Sequence, residues 1–397
     1  MEVALVAHGL PLPSSNGGPM TCFAILRQLL DVGHAVRVVA LSYPGDPFTG
    51  PEREEELRRE GVDLAVVPVE DSARLDPPPQ LVRRVQAALE GDVAFVYHWD
   101  TIAATAGVAM PRLGVVDDLW HHPNLLRWRH TRPRRTRAYA AWTLETLRGL
   151  RPTAKRLVTL LNGCQASGSF QAETAAWLRR RGAGGCEYLP APLADGGGPD
   201  WERRRVGSGK PRILLGPSNL EATSTSAGLR LFATEVLPAL ERELGPEGFV
   251  VRVVGEGSPP PELARLLPRP TVELTGRIEP ADAEFLAADV QLVPTPFPLG
   301  KRVRIIVGWS YGCCVVATES EAVNLPELRD GANALLGASG AEVATALIRA
   351  LRDEPLRRRI ALGGRATYEQ RFAPHAAARP IIERLEALAR SREAVAP

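Results

Sequence analysis

Residues 294–320, PTPFPLGKRVRIIVGWSYGCCVVATES, decide the reading of the chain. Gln291, Leu292 and Val293 close a buried apolar strand just before them. Pro294, Pro296 and Pro298 keep the backbone out of helix and sheet, and Gly300 turns it. Lys301, Arg302 and Arg304 crowd the start of the next helix, and Val315 and Val316 carry the following strand. A helix N-terminus presents unpaired N–H groups and the positive end of the helix dipole, so it suits an anion. Three cations beside that terminus point to a phosphate-bearing ligand.

The same alternation of strand and helix extends in both directions. Upstream, strands are expected at 213–215, 249–254, 271–274 and 289–293, with helices at 227–243 and 280–287. Ser218–Ser226 reads as a polar loop, and one strand ends at Gly276-Arg277. Downstream, helices are expected at 341–352, 355–366 and 376–390. Residues 194–212, rich in Gly, Pro and charge and without periodicity, read as a linker.

Before that linker lies another α/β half. Glu2–Ala7 is a strand ending at His8-Gly9. A loop with Asn16-Gly17-Gly18 leads to helix 21–32 and strand 35–41. A helix at 52–60, a strand at 64–69 and a helix at 80–89 follow. Strand 92–97 delivers His98, Trp99 and Asp100 to its carboxyl end; helix 101–109 and strand 112–116 then deliver Asp117 and Asp118. A strand at 157–161 and a helix at 169–181 complete this half. The expected fold is α/β: two doubly wound, Rossmann-like domains facing a central cleft, with ligands at the carboxyl ends of the strands. The boundaries are 1–193, the linker 194–212, 213–375, and a C-terminal helix, 376–397, packing back on the first domain.

Composition agrees with a soluble globular chain. Of 397 residues 45% are apolar and 24% charged, so two domains can each bury a core. A net charge of +2 argues against a general polyanion binder. The five cysteines, with no CxxC spacing, argue for a reducing compartment and against a zinc site. MEVALVAHG goes straight into a strand, with no basic n-region. No apolar run has the ~18 residues a membrane span needs. A cytoplasmic protein is expected. Residues 127–156 are strongly basic, with Trp128, Tyr139 and Trp142 interleaved. They read as a solvated surface first, as a peripheral contact with anionic membrane or a polyanionic acceptor second, and as a single-strand nucleic-acid patch third. No nucleic acid is expected as a partner.

Several phrases, in order and spacing, resemble the GT-B glycosyltransferases of the retaining group 1 family (family 4). They are Asn16-Gly17-Gly18 with Gly33-His34-Ala35-Val36; strand 289–293 with Pro294; Gly300-x-Arg302-Val303-Arg304-Ile305 with Gly312 and Val315-Val316-Ala317-Thr318; Leu325-Pro326-Glu327-Leu328; and Arg365-Ala366 to Arg371-Phe372. The resemblance implies metal-independent transfer of a hexose from a nucleotide-diphosphate sugar to a hydroxyl acceptor, with retention. It implies no bound cofactor, only a nucleotide-sugar co-substrate. The acceptor is a small molecule, a glycan or a lipid. The family carries two glutamates eight residues apart at the donor helix; here those positions are Leu299 and Val307. A donor without a ribose, such as a polyprenyl-phosphate sugar, would account for Val307.

The donor-binding candidates are Gly17, Gly18, Ser218, Asn219, Arg277, Lys301, Arg302 and Arg304. The bland alternatives are a plain loop-to-helix turn for the glycines, a helix cap for the serine loop and a solvated basic edge for the cations. The catalytic candidates are His98, Asp117, Asp118 and His121, polar residues at adjacent strand ends that would hold sugar or acceptor hydroxyls. Their spacing does not suit a metal site. The competing functions are a sugar-nucleotide epimerase of the same architecture and a degenerate, non-catalytic protein that binds a ligand or a partner.

Overall fold

A computed structural model describes residues 1–13, 17–45, 49–70, 75–117, 137–198 and 209–393. Asn16, Asp118, His121 and the stretch 127–136 lie outside the described residues, as do 199–208 of the expected linker. The chain forms two compact units. One holds the described residues of Met1–His121, Arg135–Ala194 and Pro374–Pro397, the other those of Asp195–Ala373.

The first unit is built on seven parallel strands: β1 (Glu2–His8), β2 (Ala35–Ser42), β3 (Asp63–Pro68), β4 (Val93–Tyr97), β5 (Arg112–Val116), β6 (Ala166–Ser169) and β7 (Cys186–Tyr188). Their order is β3-β2-β1-β4-β5-β6-β7. The strands read as unbroken apolar runs because both faces of the sheet are covered. Along β1, Val3, Leu5 and Ala7 face one core, and Ala4 and Val6 the other. The first core takes Ile25, Leu26 and Leu29 from helix α1 (Gly17–Asp31). It also takes Ala378, Ile381 and Leu385 from the C-terminal helix Pro374–Glu393. The latter helix is tied down further by His34 Nε2 at 3.1 Å from Glu386 Oε1. The second core takes Leu81 and Val85 from α3 (Pro79–Ala88), which follows α2 (Pro51–Arg58), and Ile102 from α4 (Trp99–Ala104).

Residues 157–161 are not the strand their β-branched, apolar sequence LVTLL suggests. They end the long helix α5 (Arg137–Asn162), where Ala154, Leu157, Leu160 and Leu161 are buried. That spacing of three and four is one helical face. The strand instead is β6, ASGS, which no apolar pattern announces. Its Gly168 lies so close to Leu189 that a Cβ there would sit 2.6 Å from Leu189 Cδ1. The helix expected over 169–181 is correspondingly shorter, α6 (Ala172–Arg179).

The second unit repeats the plan with six parallel strands: β8 (Arg212–Asn219), β9 (Val250–Glu256), β10 (Val272–Gly276), β11 (Val290–Val293), β12 (Cys314–Thr318) and β13 (Leu335–Gly337), ordered β10-β9-β8-β11-β12-β13. The expected loop Ser218–Ser226 divides differently. A bulge between Leu215 and Ser218 lets β8 resume, pairing Ser218 with Gly255 and Asn219 with Glu256. Helix α7 (Thr223–Leu231) then starts within the loop's second half. It runs through a π-turn at Phe232–Val236 into α8 (Leu237–Leu244), where Pro238 has no N–H to give to the helix ladder. Later helices are α9 (Asp282–Ala287), α10 (Val303–Ser310), α11 (Gly340–Arg352) and α12 (Glu354–Arg371). Trp309 anchors α10: it is fully buried, donates Nε1–H to the Asn333 carbonyl at 2.9 Å and packs where Gly364 leaves space.

The start of the expected linker is pinned to this unit. The Gly198 N–H donates to Ser310 O at 3.0 Å, and Arg365 Nη2 donates to Asp195 Oδ2 at 2.8 Å. Among the described residues no helix is long and apolar enough to cross a membrane.

Both sheets reverse strand order once, between β1 and β4 and between β8 and β11. In open parallel sheets ligands bind outside the carboxyl ends of the strands at such reversals.

Candidate functional site

In the second unit the reversal lies beside the stretch 294–304. Gly300 (φ 87°) and Arg302 (φ 60°) both adopt left-handed backbone and swing the chain into α10. Lys301 and Arg302 are buried, and Arg304 is half-buried. The three expected cations therefore do gather at the helix start, but they do not form an open basic edge. Arg302 turns inward. Its Nε lies 2.5 Å from Glu321 Oε2, and its Nη2 donates to the Phe297 carbonyl at 3.2 Å. Arg304 Nη2 reaches Thr295 Oγ1 at 3.4 Å, and its carbonyl accepts from Gln291 Nε2 at 2.9 Å. Gln291 claims that space absolutely: a Cβ on Gly308 would sit 1.7 Å from its Oε1.

Burial pushes the Glu321 carboxyl above its ordinary range, against the pull of Arg302 and Arg304. Burial also lowers the Arg304 guanidinium; Glu321 opposes this and Arg302 adds to it. Two guanidinium groups thus share one buried carboxylate. Ser320 Oγ donates to the Thr295 carbonyl at 2.7 Å, tying the turn after β12 to the loop before α10. Sequence reasoning missed Glu321; its signal is the acid of ATESEA, which follows a strand neighbouring β11.

The other donor-side candidates are more peripheral. Asn219 is exposed, and its Oδ1 accepts from the Glu221 N–H at 2.8 Å, a turn-forming contact. Ser218 is half-buried at the β8 edge. Arg277 is exposed and held by Glu279 (2.8 Å) and Glu256 (3.0 Å). The hydrogen bond to Glu279 raises its pKa further. Val307, where the resemblance expects a glutamate, packs against the cluster of Leu214, Val254, Phe285, Ala288 and Cys313.

In the first unit the reversal carries a different constellation. Gly17 and Gly18 open α1, and a Cβ on Gly18 would meet Tyr97 Oη at 3.0 Å. The Tyr97 hydroxyl donates to Asp117, which is half-buried at the end of β5. His98 follows β4 with φ 89° and ψ 151°, a region that only glycine enters easily. Beside it stands Asp100, whose side chain is fully buried. Oδ1 accepts from His98 Nδ1 at 2.7 Å and the Thr101 N–H at 2.8 Å. Oδ2 accepts from His8 Nδ1 at 2.6 Å and from the Tyr43 hydroxyl. Burial alone would raise this carboxyl, but the charges and hydrogen bonds of His98 and His8 hold it far below the usual carboxylate range. Burial and the same carboxylate push the Tyr43 phenol far up.

The His8 and His98 rings lie 4.5 Å apart, flanked by Tyr43 (4.4 Å from His8) and Trp99 (4.9 Å from His98). His8, His98 and Asp100 place their ligand atoms within 4.8 Å of one another, as a metal site would. The nitrogen–oxygen separations of 2.6 and 2.7 Å, however, are those of hydrogen bonds. Tetrahedral ligands at about 2.0–2.1 Å from one zinc ion stand more than 3 Å apart. Of the expected catalytic residues, His98 and Asp117 thus stand at adjacent strand ends. Asp118 and His121 fall outside the described residues. Asp100 and His8 are not among the expected catalytic residues; the spacing His98-x-Asp100 is the signal in the sequence.

Comparison with known proteins addresses the whole arrangement. Residues 212–353 match the family described as glycosyl transferases group 1. A comparison with curated protein sequences finds no match. Among solved structures, Anabaena HepE in complex with UDP is 15% identical, with a TM-score of 0.72 over 98% of this chain and 100% of its own. Sucrose-phosphate synthase from Thermosynechococcus elongatus is 15% identical, with a TM-score of 0.69 over 98% and 99%. WaaG, a glycosyltransferase involved in lipopolysaccharide biosynthesis, is 16% identical, with a TM-score of 0.61 over 95% and 98%. With two parallel, doubly wound sheets of this order and these neighbours, the chain has the GT-B glycosyltransferase fold, and its second unit carries the match to the group 1 family.

Proposed function

We propose that the protein transfers a hexosyl group from a nucleotide-diphosphate sugar to a hydroxyl acceptor, with retention of anomeric configuration and without a metal ion. The second unit holds the donor and the first holds the acceptor. The observation that carries this reading is the start of α10, where Arg302 and Arg304 share the single carboxylate of Glu321 beside a helix N-terminus. The surplus positive charge favours a diphosphate there, and more so as the glycosidic bond breaks and negative charge grows on the leaving group. The group 1 match over 212–353 supports a transferase, and the UDP and UDP-glucose complexes of HepE make uridine the first base to try. In this reading the proton of the acceptor hydroxyl passes either to the leaving phosphate or to a side chain.

The packing of Val307 against apolar neighbours favours, as a second reading, a GT-B protein that has lost its donor chemistry. Thermal shift with UDP, GDP, ADP, CDP and TDP separates the two. A diphosphate at 100 times its Kd adds about 2.7 kcal/mol of stability. One of the five should stabilise the wild type and fail on Arg304→Gln, a change that leaves the Arg302–Glu321 pair in place. The corresponding nucleotide-glucose should then be consumed, and the configuration of the product sugar read by proton NMR. A wild type indifferent to all five diphosphates would defeat the nucleotide-sugar reading.

A further inference from the structure

We propose that the outer face of α5 docks the first unit on an anionic lipid surface, with Arg148, Arg151 and Lys155 against the headgroups and Leu144 entering the layer, an inference independent of the transferase reading above. In sequence, 127–156 reads as a solvated surface first and as a contact with anionic membrane second; the geometry of the helix reverses that order. Three observations meet on this face.

The first is register. α5 buries Leu157, Leu160 and Leu161 in the second core of the sheet. The side of the helix turned away from that core carries Leu144, Arg148, Arg151 and Lys155, spaced four, three and four residues apart. All four are exposed, and Leu144 keeps 48% of its surface open. At 1.5 Å per residue they make one stripe about 16 Å long.

The second is charge without counter-charge. Exposed arginines on other helices of this unit pair with an acid four residues away. Arg58 has Glu54 at 3.1 Å on α2, and on the C-terminal helix Arg379 has Glu383 and Arg390 has Glu386, both at 3.9 Å. α5 holds five basic residues and one acid, Glu145, and no acid stands four residues from Arg148, Arg151 or Lys155. Among the described residues no ion pair or side-chain hydrogen bond holds these three. Asp76, which reaches the helix from outside, takes Arg156 at 2.9 Å. The contrast also has a direction. The acid-paired arginines ride on helices that pack on the first core, through Leu57 and Ile381, and the stripe rides on a helix of the second. One side of the sheet therefore presents unbalanced positive charge.

The third is the end of the stripe. Asn162 lies seven residues beyond Lys155 on the same face, and its Nδ2 donates to the Gly182 carbonyl at 3.0 Å. Next to Gly182 the Arg181 guanidinium lies 3.7 Å above the half-buried Trp177 ring. An aromatic ring with a cation on it suits the boundary between water and lipid.

These features favour lipid over a nucleic-acid strand. Single strands are held by aromatic faces spaced along a groove, on which successive bases stack. The stripe is the convex side of a helix and carries a leucine in line with its cations, the combination that an anionic membrane takes up.

Co-sedimentation of the full chain with vesicles tests this, using phosphatidylglycerol and phosphatidylcholine in equal parts against phosphatidylcholine alone. Binding is expected to the anionic vesicles only and should weaken as salt rises. Each cation near such a surface is worth about fivefold in affinity. Arg148→Gln with Arg151→Gln and Lys155→Gln should therefore lose about 100-fold. Arg58→Gln with Arg379→Gln and Arg390→Gln removes the same net charge from the other side of the sheet, also at exposed positions. It should stay within about twofold of wild type at physiological salt. Leu144→Ser, a single exposed change, gives a second reading and should lose about three- to tenfold. A wild type that ignores the anionic vesicles would overturn the proposal, as would a stripe variant that binds like wild type or equal losses in the two triple variants. Tighter binding to a single-stranded oligothymidylate than to the vesicles would overturn it in favour of nucleic acid.

Discussion

The two strand-order reversals occupy the same place in two similar sheets, yet each buries its carboxylate in the opposite way. Asp100 meets four donors in good geometry, and its charge is held. Glu321 meets guanidinium groups instead, and burial still pushes its proton affinity up. The first arrangement fixes the orientation of two imidazoles. The second concentrates cationic charge at a helix start. Topology selects where a ligand can sit, and the partners of one buried acid decide what kind of ligand that is.

The sharpest way to break this comparison is to remove the partner of Glu321. Arg302→Ala removes the ion-pair partner of Glu321 and leaves that buried carboxylate with Arg304 alone. It should cost about 3–5 kcal/mol, the range for breaking a buried pair. Arg302→Met with Glu321→Leu should recover part of that loss, because Glu321 and its closest partner leave together and only Arg304 loses a counter-charge. Urea denaturation of the three proteins measures both. A single-variant cost below about 1 kcal/mol would mean that Glu321 does not depend on Arg302, and Arg302 would return to the list of phosphate ligands.

The two sites were unequally legible in the sequence. Strands such as β1, β4, β11 and β12 are short apolar runs between glycines, prolines and charged residues, and their ends come out within a residue or two. β6 has no such run: its alanine, glycine and serines are dictated by close neighbours rather than by hydrophobicity. The cations of α10 announced themselves by adjacency, but their inward turn did not, because Glu321 comes from beyond the next strand. Asp100 was visible and its meaning was not. Its partner His8 lies 92 residues away, and only the pairing of β1 with β4 brings them together.

Backbone strain sharpens the contrast at a smaller scale. Each unit has one described non-glycine residue with positive φ, His98 and Arg302. Arg302, at φ 60° and ψ 30°, sits near the left-handed helical well that side chains tolerate. His98, at φ 89° and ψ 151°, does not. Comparing glycine with alanine at each position isolates the backbone term, since both variants lose the same side-chain contacts. His98→Gly should be more stable than His98→Ala by about 1–3 kcal/mol. The gap at Arg302 should be nearer 1 kcal/mol. Equal gaps at the two positions would show that the two backbones are strained alike.

The subtlest difference is in acid. A carboxyl whose folded pKa is depressed contributes stability above its unfolded value and loses it as pH falls toward the folded one. Asp100 is such a group, so its contribution should decline as pH drops below about 4, the ordinary aspartate value. Glu321 has the opposite sign. Its folded pKa is raised, so the folded chain binds the proton more tightly than the unfolded chain and gains stability as pH falls through that window. Each slope is bounded at about 1.4 kcal/mol per pH unit for one proton. Urea midpoints between pH 7 and pH 3 should therefore fall less steeply in Asp100→Asn than in wild type, and more steeply in Glu321→Gln. Deviations of the same sign in both variants would show that the two buried acids are held alike, and the contrast between the sites would rest on their cations alone.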